Sequence, residues 1–212
     1  GSSLFHPQAL GFSVRFAGED ITRNMGIFIG LGTLGYSFGP IISAYVTQYL
    51  GLDSVRYLSV LGVCWVLLMF NFVPKIYSET AGKSGSNFIK TFKDILTNRK
   101  LNILNIIAML KTLVTTSTSI LLPFLWKSIG YKPFHIGAAL FAFSFAAGIG
   151  SFISRSVENK VGAQKVFYFS MISTLPLMIA FAFLYQHYPI LSFAVYVLMG
   201  FCTGMAMPIT MV

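Results

Sequence analysis

Lys111 is a charged side chain in the middle of an apolar run, 101–126. A charge at the centre of a bilayer costs about 2.5–3.5 kcal/mol on insertion scales, so a lysine kept there marks a substrate or ion path by default. At 100° per residue, Asn105, Thr112, Thr115, Thr116 and Ser119 fall on the arc of Lys111. The opposite arc holds Ile103, Ile106, Leu110, Leu113, Val114 and Leu121. A helix of this kind turns its polar arc to a water-filled cavity or to other helices. The lysine then attracts an anionic group or takes part in ion coupling. The alternative is a lysine that snorkels or pairs structurally.

His6-Pro7 lies in a second apolar run, 1–17, with Ser2, His6 and Ser13 on one narrow arc. Pro7 frees the carbonyl of Ser3 and predicts a bend. An imidazole in a cavity titrates near neutral pH and can relay protons, or it can stay neutral and hydrogen-bonded as a packing residue. In the run 190–212, Tyr196, Thr203, Met207 and Thr210 share a face, with Gly200 and Gly204 nearby. Met and aromatic residues on a cavity wall bind varied apolar ligands, and ordinary helix packing explains the same face.

The elements that must position these groups are seven apolar runs: 1–17, 21–49, 55–74, 101–126, 134–154, 166–186 and 190–212. A bilayer core needs about 20 apolar residues per helix. Helices satisfy every backbone group internally, whereas a closed barrel would show strands of about ten alternating residues. The expected fold class is therefore all-α, a polytopic transmembrane helical bundle. The run 21–49 carries a stripe of Gly32, Gly35, Gly39 and Ser43, with Pro40 directly after Gly39. Such a stripe lets a neighbouring helix approach closely, and the proline permits a bend near Tyr36. Ala138, Ala142, Ala146 and Gly150 repeat small residues in 134–154 and read as packing.

Composition agrees with lipid as the solvent: 55% of residues are hydrophobic and 10% charged, against roughly 25% charged in soluble domains. The net charge of +9 does not point to nucleic acid, because the basic residues sit in short loops between apolar runs. Arg15 and Arg23, then Lys75, Lys83, Lys90, Lys93, Arg99 and Lys100, then Arg155, Lys160 and Lys165 occupy alternate loops. The positive-inside rule places those loops, including 75–100 and 154–165, in the cytoplasm. The central loop 75–100 holds a flexible Ala81–Ser86 stretch and then a short amphipathic helix over 87–99, with Phe88, Phe92, Ile95 and Leu96 on one face. It divides the chain into 1–74, 75–100 and 101–212.

Cys64 and Cys202 lie in apolar runs as small filler. No phosphate-binding loop, metal-ligand cluster or cofactor motif is read, and no catalytic cluster that would suggest an enzyme. The acidic residues Glu19, Asp20, Asp53, Glu79, Asp94 and Glu158 fall in loops or at run ends. Both ends of the chain fall inside helix-like runs and are expected to be truncations.

The joint pattern resembles the major facilitator superfamily. Gly35-x-x-x-Gly39-Pro40 looks like its fifth-helix antiporter motif. Gly150 through Asn159-Lys160-Val161-Gly162 to Lys165 looks like its loop motif between helices eight and nine. Asn159 stands where that motif has an acid, and Ala163-Gln164 replace its basic pair, so the resemblance does not carry that loop's charge relay over. Within the superfamily, Gly1-Ser2-Ser3-Leu4-Phe5-His6-Pro7 is similar to the fourth helix of fosmidomycin resistance proteins, and Lys111 after Met109-Leu110 to a lysine of their seventh helix.

The resemblance spans the whole chain. It implies helices four to ten, with 1–74 closing an N-terminal half of six helices and 101–212 opening the second half. It further implies a multi-pass protein of the inner (plasma) membrane, exporting a small drug-like or anionic molecule by proton antiport, with the coupling carboxylate outside this sequence. Uptake of a sugar or organic anion, or a non-transporting receptor or scaffold of the same fold, are the alternatives.

Overall fold

The computed structural model describes residues 21–72 and 97–211. Among these residues six α-helices follow one another: α1 Ile21–Tyr49, α2 Leu58–Phe72, α3 Arg99–Ser128, α4 Pro133–Val161, α5 Ala163–Leu184 and α6 Pro189–Met211. A 3-10 segment, Leu52–Tyr57, leads into α2. Among the described residues five helices are long and apolar enough to cross a membrane: α1 over Arg23–Tyr49, α3 over Asn105–Ser128, all of α4 and α5, and α6 over Pro189–Pro208. The predicted run 1–17 and nearly all of the central loop lie outside the described residues.

Helix α1 occupies the predicted 21–49 and runs on through Pro40. The expected loop over 154–165 is a correction. Helix α4 continues to Val161, α5 starts at Ala163, and Gly162 alone joins them. Hydropathy falls after Ser154 because Arg155, Ser156, Glu158, Asn159 and Lys160 are polar, but these residues are compatible with a helix. Arg155 and Glu158 pair at i, i+3 spacing, 3.2 Å apart. Apolarity thus marked the edge of the lipid-facing stretch, and the helix outruns it. Gly162 has φ 91° and ψ 144°, a backbone region open essentially to glycine.

The packing order is α1 against α4, α4 against α6, and α6 against α5. Lipid tails are as apolar as leucine, so helices associate through close van der Waals contact and interhelical hydrogen bonds. Helix α4 is suited to the centre because it buries Gly137, Ala139, Ala146, Ala147, Gly148 and Gly150. Across the α4–α6 seam a Cβ at Gly204 would overlap the backbone of Ala147, and one at Gly200 the carbonyl of Phe143. Backbone cannot rotate aside as a side chain can, which makes glycine a requirement there.

The small residues of α1 that meet a neighbour differ from the stripe the sequence suggested. A Cβ at Gly30 would lie 2.8 Å from the Phe152 ring, and one at Gly26 3.2 Å from the Ser151 carbonyl oxygen. At Gly32, Gly35 and Gly39 it meets nothing within 4 Å among the described residues. Gly137 and Gly148 of α4 complete the seam against Pro40, Ala44 and Leu34.

Candidate functional site

Helix α3 leans on the rest of the bundle with its last third. Leu122 and Trp126 are buried, while Asn105 and Thr112 are exposed and Thr115 and Ser119 half-buried. Thr115, Ser119, Leu122 and Trp126 recur at i, i+4, i+7 and i+11, a single stripe of one helix face. The polar arc predicted from the sequence therefore runs directly into the packing stripe of α3. The backbone of Lys111 belongs to α3, and its side chain lies outside the described residues, as does the whole of His6.

Opposite that stripe stands Tyr196 of α6, fully buried. Its ring stacks on Phe143 with centroids 4.6 Å apart, and sits 6.1 Å from Trp126 and 5.6 Å from Phe181. Aromatic pairs at such separations add about 0.5–1.5 kcal/mol each beyond burial. The Ser119 side chain faces the Tyr196 phenol. The phenol oxygen is buried without a geometrically formed hydrogen bond among the described residues; the Ser119 hydroxyl donates instead to the Thr115 carbonyl at 3.0 Å. Thr203 is also buried, and its hydroxyl donates to the Met199 carbonyl at 2.8 Å. Tyr196 and Thr203 thus sit in packed interior, where the sequence left cavity wall and packing both open.

At the other end of the bundle a cleft of about 400 Å³ opens between α1 and α4. It is lined by Arg23 and Ile27 of α1 and by Phe152, Arg155, Ser156 and Asn159 of α4. Asn159, singled out as part of a loop motif, is on helix α4 and shares this cleft with Arg23, which the sequence gave no reason to place beside it. Lys160 is exposed one residue on. Gly35 and Gly39 are exposed and Pro40 half-buried, far along α1 from that cleft.

Sequence reading missed the hydroxyl contacts between helices. Ser151 donates to the Gly204 carbonyl at 3.0 Å and Ser154 to the Met205 carbonyl at 2.7 Å. A serine pair three residues apart beside small residues was the available signal, but it named no partner.

Comparison with known proteins adds the family. The fosmidomycin resistance protein of Escherichia coli (strain K12) is 25% identical over 193 residues, covering 89% of this chain and 47% of that protein. The chain spans about half the length of the curated relative it matches. No solved structure matches it. The sequence model of the Major Facilitator Superfamily matches residues 1–212. With that match running the length of a chain built from helices of membrane-crossing length, the protein belongs to the Major Facilitator Superfamily of membrane transporters.

Proposed function

We propose that this chain forms helices four to ten of a secondary transporter that exports a small drug-like or anionic compound by proton antiport across the inner (plasma) membrane. The observation that carries the reading is the course of the polar arc of α3. Its upper members, Thr115 and Ser119, lead into Leu122 and Trp126, which pack on the bundle. Lys111 stands one turn before Thr115 in the same register. Asn105 and Thr112, lower on the arc, are exposed among the described residues; in this reading that stretch faces the helices that complete the bundle, as a substrate path requires. The relative named for fosmidomycin resistance supports a drug-like cargo.

In this reading Lys111 attracts the negative group of the substrate or takes part in coupling, with Asn105, Thr112, Thr115 and Ser119 as polar neighbours along the path. His6 lines the same cavity. Tyr196 and Thr203 back it from α6. Gly35, Gly39 and Pro40 let α1 bend and pack as the two halves, 1–74 and 101–212, rock about a central site. Asn159 and Lys160 close the cytoplasmic end of α4, and Gly162 turns the chain into α5.

The test uses the full-length protein in drug-sensitive cells and in everted membrane vesicles. Export predicts raised resistance, together with vesicle accumulation that a protonophore abolishes. Uptake into right-side-out vesicles, or accumulation indifferent to the protonophore, would overturn the direction or the coupling respectively.

A further inference from the structure

Helices α1, α3, α5 and α6 each contain an internal proline: Pro40, Pro123, Pro176 and Pro208. A proline in a helix has no N–H for the carbonyl four residues earlier, and its ring crowds that carbonyl. For Pro208 the deprived carbonyl is Gly204. Inside a membrane bulk water does not replace the missing donor; neighbouring helices, Ser/Thr side chains or an ordered water supply one.

The donor here comes from α4. The Ser151 hydroxyl reaches the Gly204 carbonyl at 3.0 Å and the carbonyl of Ala147 on its own helix at 3.1 Å. One proton serves both, so Ser151 can share it across the seam or return it to its own turn. One turn further along α4, Ser154 donates to the next α6 carbonyl, Met205, at 2.7 Å. Both serines and Pro208 are almost completely buried. The missing side chain of Gly204 lets the backbones come close enough for these bonds, since a Cβ there would overlap Ala147.

Helix α1 closes the same spot. A Cβ placed on Gly26 would lie 3.2 Å from the Ser151 carbonyl oxygen and 3.8 Å from Cγ of Pro208. A helix from 1–74 therefore abuts both the serine donor on α4 and the proline break on α6.

We propose that Ser151 and Ser154 are positioning residues that latch a proline hinge in α6, and that the latch loosens when α1 parts from α4. The second clause rests on the proposed transport reading; the first does not. While α1 covers the node, the Ser151 hydroxyl keeps donating to the Gly204 carbonyl and the end of α6 is held. When α1 withdraws, the hydroxyl donates to the Ala147 carbonyl alone, and the α6 segment after Gly204 is free to swing.

The experiment is a double-mutant cycle in the full-length protein, read by amide hydrogen exchange over 205–211 and by transport rate per inserted molecule. Ser151→Ala should raise exchange of that segment by about threefold, the factor matching an average interhelical hydroxyl bond in a membrane protein. In Pro208→Ala the residue 208 N–H takes the Gly204 carbonyl, so adding Ser151→Ala should change exchange no further. Ser151→Thr, which keeps the hydroxyl, should behave as the parent. If Ser151→Ala alone fails to insert, its rescue by Pro208→Ala supports the latch equally. Equal acceleration in both backgrounds, no acceleration in either, or no rescue of a failed insertion would overturn it. Exchange that follows the cycle while transport rates do not would keep the latch and overturn its link to transport.

Discussion

The side-chain carbonyl of Gln48, at the end of α1, accepts a hydrogen bond from the backbone N–H of Phe134, in the first turn of α4, at 3.0 Å. The start of a helix leaves its first N–H groups without partners. Helix α4 has Lys132 at its N-cap with no side-chain cap bond, and Pro133 next, which has no N–H. His135 and Ile136 both turn back to the Lys132 carbonyl. Phe134 is thus capped in trans, from a residue 86 positions earlier in the chain. Gln48→Leu should remove about 1 kcal/mol from the contact and shift the balance about fivefold toward a state in which these helix ends separate. Gln48→Glu keeps the acceptor and should not. Spin labels at Tyr49 and Lys132, both exposed, would read the distance distribution; an unchanged distribution in Gln48→Leu would remove the capping role.

Gly162 is the whole connection between α4 and α5. Its φ of 91° with ψ of 144° lies outside the left-handed helical region that Asn tolerates. Gly162→Ala and Gly162→Asn should therefore both cost about 1–3 kcal/mol. Thermal unfolding of purified protein in detergent checks this. A stable Asn variant would show that the turn relaxes into another conformation.

At the α4–α6 seam, Gly204→Ala inserts a methyl group against the backbone of Ala147. Forced overpacking of this kind costs about 1–3 kcal/mol. Gly39→Ala meets nothing within 4 Å among the described residues, so it should lower the unfolding temperature less. A larger loss for Gly39→Ala would mean that the glycine stripe of α1 carries a close contact with a helix outside the described residues.

Lys111→Ala should leave insertion intact, because removing a charge from an apolar helix lowers its cost in the membrane. If the lysine holds an anionic group, transport per inserted molecule should fall roughly tenfold, the scale of a hydrogen bond to a charged partner. Lys111→Arg keeps the charge with a different shape and hydration and should retain part of the activity. Flux in vesicles, normalised to membrane-inserted protein, decides. Parental flux and affinity in Lys111→Ala would withdraw the residue from the site.

The orientation follows from the basic loops. With Cys64 and Cys202 replaced, a cysteine at Ser128 should react with an impermeant reagent added to intact cells. One at Asn159 should react only after the cells are opened. Both positions are exposed at helix ends. The reverse pattern would invert the topology.

The sequence by itself determined that this chain is a set of membrane helices. Apolar runs of sufficient length leave the backbone no other way to pair its polar groups in lipid. It placed α1 at 21–49 and located α3, α5 and α6 within a few residues, and α4 except for its polar last two turns, because apolar length and flanking polar residues are local properties. It also isolated Lys111 and its polar arc, since a charge in an apolar run stands out without any knowledge of neighbours.

Which face of each helix meets which partner was decided only by the tertiary structure. Lipid tails and a helix interface are equally apolar, so a small or apolar face reads the same whether it meets lipid or protein. The glycines of α1 show this: Gly32, Gly35 and Gly39 made the more regular stripe, yet Gly26 and Gly30 meet α4. Tyr196 could have lined a cavity, and it is stacked on Phe143 inside the bundle. The bonds from Ser151 to Gly204 and from Phe134 to Gln48 join residues 53 and 86 positions apart. A hydroxyl or amide names its own chemistry in the sequence, but the carbonyl or N–H it will satisfy is fixed only when the helices are packed.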